Sequence, residues 1–217
     1  MPTELVRDRP PRVRRTDGAP PRSGGAPGGG GGGDAHPAPA AGGAATIAVG
    51  GIIVAVAMLF IAFTTAYVAR RQEAGWMPLV IPPVLWLNTA VLLASSGTLE
   101  WTRWRLGRGD AASLRQGLGW TAALGGVFVI GQYAAWRDLA AQGIYITSNP
   151  HSSFFFLLTG AHGLHLLGGL GALAVVLVRA YGNRYTPERA TGLNVFALYW
   201  HFMDALWLYL FGLLFWA

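Results

Sequence analysis

Residues 152–178, SSFFFLLTGAHGLHLLGGLGALAVVLV, form one long apolar run, and this run decides the class of protein. Its length exceeds the roughly 20 residues that an α-helix needs to cross about 30 Å of hydrocarbon. His162 and His165 interrupt the run three residues apart, a spacing that places both on one face of a helix. The run therefore predicts a transmembrane helix that carries imidazoles inside the bilayer.

The rest of the chain repeats the apolar pattern. Hydrophobic residues make up 53% and charged residues only 12%, whereas soluble domains contain about 25% charged residues. There is no cysteine, which excludes disulfides and thiolate metal sites. Five segments approach or exceed spanning length, and they run approximately 46–69, 83–101, 117–136, 152–178 and 193–216. We expect an all-α, polytopic membrane protein with a bundle of five transmembrane helices.

The first 45 residues have a different composition. Arginines and prolines are followed by a stretch rich in Gly, Pro and Ala, GGAPGGGGGGDAHPAPAAGG. Such a composition buries too little apolar area to offset the entropy of ordering the chain. We predict a disordered cytoplasmic tail over residues 1–45 and a membrane domain over residues 46–217.

The positive charges predict the orientation of the helices. All sixteen are arginines, and they lie between the apolar runs, which favours a role in topology over nucleic-acid binding. With a cytoplasmic tail, thirteen arginines lie in inner segments and three in outer loops. This excess predicts the N-terminus inside and the C-terminus outside. The inner arginines are Arg7, Arg9, Arg12, Arg14, Arg15, Arg22, Arg103, Arg105, Arg108, Arg115, Arg179, Arg184 and Arg189, and the outer ones are Arg70, Arg71 and Arg137.

Polar residues inside the predicted spans are the candidate site residues, because a charge at the bilayer centre costs about 2.5–3.5 kcal/mol on insertion scales. They are His162, His165, His201, Asp204, Glu100 and Asn88. We interpret them chiefly as structural or lipid-contacting groups that join helices. From depth and orientation we expect His165 and His201 to form an interhelical pair. Asn88 is followed by Thr89, Ser95 and Ser96, which we expect to make further interhelical hydrogen bonds.

Two other roles for these residues stay open. A membrane haem b cytochrome could use His162, His165 and His201 as ligands, although three histidines do not make two bis-histidine haem sites. A proton relay, or a small proton or solute transporter, could use Glu100, His165, His201 and Asp204.

Small residues in the third segment predict close helix packing. Gly117, Thr121 and Gly125 follow one another at spacings of four, which would place them on one stripe of the helix. Such a stripe lets a neighbouring helix approach closely and implies no chemistry.

Three motifs together resemble one known family. They are LNTAVLLASSGTLEW (87–101), SSFFFLLTGAHGLHLLGG (152–169) and YWHFMDALWLYLFGLLFW (199–216). Their order and separation resemble subunit III of the haem–copper oxidases, most closely the five-helix bacterial form of cytochrome c oxidase subunit III. The resemblance covers residues 46–217.

The resemblance implies a non-catalytic core subunit of a respiratory complex that couples cytochrome c oxidation to O₂ reduction and proton pumping. It implies no catalytic residue and no metal ligand in this chain, with haem and copper held by partner subunits. Subunit I would be the direct partner, with subunit II and possibly subunit IV in the same complex in a bacterial cytoplasmic membrane. A quinol oxidase or a nitric oxide reductase complex is the alternative within this class.

The resemblance also assigns individual residues. Arg179 falls on the arginine that holds a phospholipid phosphate in the family, and we add His165, Arg103 and Trp101 as further candidate lipid contacts. The family has a buried acid at the position of Val56, so any role of that acid is in doubt here.

Overall fold

The fold is all-α throughout the part of the chain that can be described. A computed structural model describes residues 41–72, 76, 82–186 and 189–215. These residues form five helices and no strand: α1 (Ala41–Arg70), α2 (Val84–Gly107), α3 (Ala111–Ala141), α4 (Pro150–Tyr181) and α5 (Thr191–Phe215). Four of them, α1, α3, α4 and α5, are long and apolar enough to cross a membrane.

The second helix, α2, is not among those four. It carries a row of buried polar residues on the faces that contact other helices, which lowers its mean hydropathy. These residues are Asn88, Thr89, Ser95 and Thr102.

The predicted tail lies mostly outside the described residues, which begin at residue 41. Helix α1 begins at Ala41, so residues 41–45, which we had placed in the tail, are helical. Ala41, Ala44 and Ala45 explain the earlier start, because alanine has the highest helix propensity.

Helices α2, α3, α4 and α5 pack in a closed cycle, in which each contacts the next and α5 contacts α2. Helix α1 lies outside this cycle, against α4 and α5. Its buried side chains are Val56, Phe60 and Tyr67, and most of its other large apolar side chains are exposed. The exposed face is the one expected of a helix in contact with lipid or with another subunit.

The small residues of α3 serve two faces. Gly117 lies against Thr102 of α2. Thr121 Oγ1 lies 2.9 Å from Thr98 Oγ1, which is also on α2. A Cβ at Gly125, however, would come within 2.9 Å of Leu170 and 3.0 Å of Trp200, on α4 and α5. Close approach is therefore confirmed at Gly117 and at Gly125, but to different helices, because 3.6 residues per turn rotate every fourth residue around the helix.

Caps fix the ends of two helices. Asp110 caps α3 by accepting a hydrogen bond from the Ser113 backbone N–H at 3.0 Å. This bond and the Ser113 hydroxyl hold the pKa of Asp110 below its usual value. Asn149 and Ser152 form a capping box at the start of α4.

Candidate functional sites

A row of polar side chains joins α2 to α5. Arg103 donates to Asn194 Oδ1 from Nε at 3.2 Å and from Nη2 at 3.1 Å. Its Nη1 lies 2.5 Å from Glu100 Oε1, and His201 Nε2 lies 2.6 Å from the same oxygen. His201 and Glu100 therefore meet across the interface between the two helices.

The row continues beyond His201. His201 Nδ1 lies 3.0 Å from Ser96 Oγ, and the Ser96 hydroxyl donates to Asp204 Oδ2. Exposure falls along the row: the Glu100 side chain is 50% exposed and that of His201 is 37% exposed, whereas Asp204 is only 4% exposed. We call these four linked residues the α2–α5 polar row: Glu100, His201, Ser96 and Asp204.

Two tryptophans of α5 fix the register of the same interface. Trp200 Nε1 donates to Ser95 Oγ at 3.1 Å, and Trp207 Nε1 donates to Thr89 Oγ1 at 3.0 Å. Asn88 Nδ2 donates in the other direction, to the Phe128 carbonyl of α3 at 3.2 Å. The interhelical hydrogen bonds expected of Asn88, Thr89, Ser95 and Ser96 are thus confirmed.

The histidines of α4 lie apart from this row. His165 Nδ1 lies 2.7 Å from the Ala161 carbonyl of its own helix, and its ring contacts Phe60 of α1 at 5.9 Å. Both ring nitrogens of His201 contact α2. The expected pair between His165 and His201 is therefore wrong, because equal depth does not make two side chains face each other.

His162 is fully buried, and neither ring nitrogen has a hydrogen-bond partner among the described residues. The ring packs between Phe128 at 5.9 Å and Trp207 at 5.1 Å. His162 therefore contacts α3 and α5 through its ring and without a hydrogen bond to a described residue. Within the described ranges, no three His, Asp or Glu side chains converge as a metal site would require.

A groove and a basic pocket meet near the end of α4. The groove, of about 490 Å³, lies between α1, α4 and α5 and is almost entirely apolar. The basic pocket, of about 570 Å³, lies at the end of α4 and is lined by Arg179 and Arg184. Val175 lines both, so the apolar groove and the basic pocket are neighbours.

The remaining candidate lipid contacts lie elsewhere. Arg103 is engaged by Glu100 and Asn194 and lines a smaller pocket of about 210 Å³ between α2 and α5. Trp101 is 45% exposed, and the Arg105 guanidinium lies 5.6 Å from its ring. Neither residue lines the apolar groove or the basic pocket.

Sequence reasoning gave no role to several residues that these sites use. Arg184 received only a topological role, and Asn194 none. An aromatic cluster at the opposite end of α4 also escaped notice: Trp76 packs on His151 at 4.9 Å and on Tyr67 at 5.1 Å. Contacts between distant segments, such as the one from Arg103 of α2 to Asn194 of α5, leave no spacing within one helix that a sequence could reveal.

Comparison with known proteins decides the family. The family model for cytochrome c oxidase subunit III matches residues 43–217, which is most of the chain. The chain belongs to the cytochrome c oxidase subunit III family. The probable cytochrome c oxidase subunit 3 of Mycobacterium tuberculosis (strain ATCC 25618 / H37Rv) is 39% identical over 160 residues, 70% of this chain and 77% of that protein.

Two further relatives agree. The probable cytochrome c oxidase subunit 3 of Nocardia farcinica is 37% identical over 159 residues, 69% of this chain and 76% of the relative. Cytochrome c oxidase subunit 3 of Oryctolagus cuniculus is 34% identical over 167 residues, 74% of this chain and 63% of the relative. The resemblance to haem–copper oxidase subunit III is confirmed, and a subunit of such an oxidase works in a complex with other oxidase subunits.

Proposed function

We propose that this subunit III crosses a bacterial cytoplasmic membrane five times, stabilises the catalytic subunit of the oxidase, and holds a phospholipid at the end of α4. Subunit I would be its direct partner, with subunit II and possibly subunit IV in the same complex. Haem and copper would reside in those partners and not in this chain, as the family resemblance implies.

The distribution of arginines supports the orientation. Arg105, Arg108 and Arg184 lie at the ends of α2 and α4, and Arg137 lies at the other end, near the end of α3. The positive-inside rule then favours a cytoplasmic N-terminus. Helix α2 has 24 residues and is therefore about 36 Å long at 1.5 Å per residue, which is enough to cross the hydrocarbon core.

The observation that carries lipid binding is that the apolar groove lies next to the pocket of Arg179 and Arg184, with Val175 lining both. An acyl chain suits the apolar groove between α1, α4 and α5. A lipid phosphate suits the two guanidinium groups, because arginine binds phosphate oxygens bidentately and basic pockets on the cytoplasmic side take anionic head groups. Burial raises the pKa of the Tyr185 phenol, and the adjacent Arg179 guanidinium partly opposes this effect. Tyr185 is thus a buried, neutral neighbour of Arg179.

Lipid analysis of the purified complex tests this proposal. Arg179→Ala should reduce the tightly bound phospholipid detected by mass spectrometry and shorten the functional lifetime of the oxidase, with initial turnover nearly intact. Arg184→Ala should lower lipid content as well, whereas Arg137→Ala, at the opposite end of the bundle, serves as the matched control. Unchanged lipid content in both Arg179→Ala and Arg184→Ala would refute lipid binding at this pocket.

Copurification tests the choice of partner. In mild detergent the chain should be recovered with a large haem-containing catalytic subunit. Recovery without that subunit would count against the proposed role in stabilising it.

A further inference from the structure

The α2–α5 polar row is a continuous hydrogen-bonded chain that starts at an exposed carboxyl group and ends at a buried one. Glu100 Oε1 lies 2.6 Å from His201 Nε2, and His201 Nδ1 lies 3.0 Å from Ser96 Oγ. Ser96 then donates to Asp204 Oδ2. Each of the two middle groups can accept a proton on one side and donate one on the other.

The two ends of the row lie at different depths. Glu100 is followed by Trp101 and Trp104, which are 45% and 51% exposed, as is typical of the membrane–water interface. Ser96 lies four residues further into α2, about 6 Å deeper. Asp204 lies near the middle of α5, and its Oδ1 is buried without a hydrogen-bond partner among the described residues.

We propose that Asp204 is a proton-binding site in the membrane interior, filled from the interface through Glu100, His201 and Ser96. Glu100 takes a proton from interfacial water and passes it to His201 Nε2. As it does so, His201 Nδ1 passes its proton to Ser96 Oγ, and the Ser96 hydroxyl passes its own proton to Asp204 Oδ2. One proton enters at Glu100. His201 gains an N–H bond at Nε2 and loses one at Nδ1, and Ser96 gains one O–H bond and loses another. Asp204 ends as a neutral carboxyl group.

The surroundings of the row fit this transfer. Arg103 is the only cation that contacts it within the described ranges, and it contacts the outer end, at Glu100. At the level of Ser96, the contacts to α3 are hydroxyl groups, Thr98 and Thr121, and the neighbouring contact on α5 is the Trp200 indole. Among the described contacts of Asp204, the only group nearby that could carry a positive charge is the His201 imidazole, which shares Ser96 with it, and buried charges without a close cation are costly. A neutral, proton-carrying Asp204 satisfies this environment.

The α4 histidines do not take part. His165 lies within hydrogen-bonding distance of a carbonyl of its own helix, and neither ring nitrogen of His162 has a hydrogen-bond partner among the described residues. Of the four residues that the sequence indicated for a proton relay, the proposed route uses Glu100, His201 and Asp204. It replaces His165 by Ser96. Its use by a proton-translocating oxidase rests on the proposed function, but the proton-binding site itself can be tested in whatever complex the chain is purified with.

Infrared spectroscopy of the intact complex tests the relay. Asp204→Asn should remove one band of a protonated carboxyl group. In wild-type protein that band should shift rapidly after transfer to D₂O. Ser96→Ala and His201→Gln should keep the band but slow its shift by about tenfold or more, because each removes a link for proton transfer. Ser95→Ala, the adjacent serine outside the row, should leave the shift rate unchanged.

The outcomes separate clearly. The relay is supported if the carboxyl band shifts more slowly in D₂O in Ser96→Ala and His201→Gln but not in Ser95→Ala. This result holds even if Asp204→Asn fails to assemble. Persistence of every carboxyl band in assembled Asp204→Asn overturns the site, and unchanged exchange in both link variants overturns the route. The subunit composition of the same samples reports on the proposed function separately.

Discussion

Gly131 of α3 lies directly against the side-chain amide of Asn88 of α2, so closely that a Cβ at position 131 would overlap Asn88 Oδ1. The amide cannot move away freely, because its Nδ2 donates to the Phe128 carbonyl at 3.2 Å. Only glycine at position 131 permits this hydrogen bond between α2 and α3. The contact illustrates how small residues bring membrane helices together.

Gly131→Ala should therefore destabilise the bundle. Overpacking of a tight contact costs about 1–3 kcal/mol, and the Asn88 hydrogen bond would be lost as well. Thermal unfolding in detergent, followed by circular dichroism, measures the effect. Gly126→Ala, on the same helix and with nothing within 4 Å of the added Cβ, is the control, and an equal effect in both variants would contradict the interpretation.

The hydrogen bond from Trp200 to Ser95 should contribute modestly to stability. A double-mutant cycle with Trp200→Phe and Ser95→Ala should give a coupling free energy of about 0.6 kcal/mol, the average for such bonds in a membrane bundle. The value is small because Ser95 Oγ also donates to the Leu92 carbonyl at 2.6 Å, so it keeps a partner. Additive single effects would show that the two side chains do not interact.

His162→Leu should leave assembly and the visible spectrum of the complex unchanged. Neither ring nitrogen has a hydrogen-bond partner among the described residues, and replacing an unpaired buried polar group by an apolar one is close to neutral or stabilising. Thermal stability of the complex and its absorption spectrum are the measurements. A changed haem spectrum would instead favour the ligand role that the sequence left open.

The cap at Asp110 should make stability depend on pH. The folded state lowers the pKa of this carboxyl group, chiefly through the Ser113 backbone N–H. Its contribution is therefore present above the pKa of the unfolded chain and is lost as the pH falls through the lower pKa of the folded chain.

Asp110→Asn isolates the charge at this cap. Asparagine caps helices as well as aspartate does, so the variant should keep helix α3 while weakening the acid-side loss of stability. The midpoint of thermal unfolding, measured at several pH values, compares the two proteins. An identical pH profile would mean that Asp110 does not titrate with folding.

The sequence by itself determined the class of fold and the family. Apolar runs of spanning length predict helices in a membrane, since hydrocarbon leaves no other partner for the backbone, and α1, α3, α4 and α5 appear near the predicted bounds. The motifs around His162 and His201 were specific enough to indicate the family that the comparison confirmed. Local spacing also indicated that Asn88 and Ser95 bond to other helices.

Tertiary structure alone decided which polar groups meet. His165 and His201 have similar depth, yet rotation of each helix about its own axis turns one ring to Ala161 and the other to Glu100. Rotation also sends Gly117 and Gly125 to different neighbours. That rotation is set by the packing of all side chains on an interface together, which no spacing within one helix records. Packing likewise ties Ser96 of α2 to Asp204 of α5.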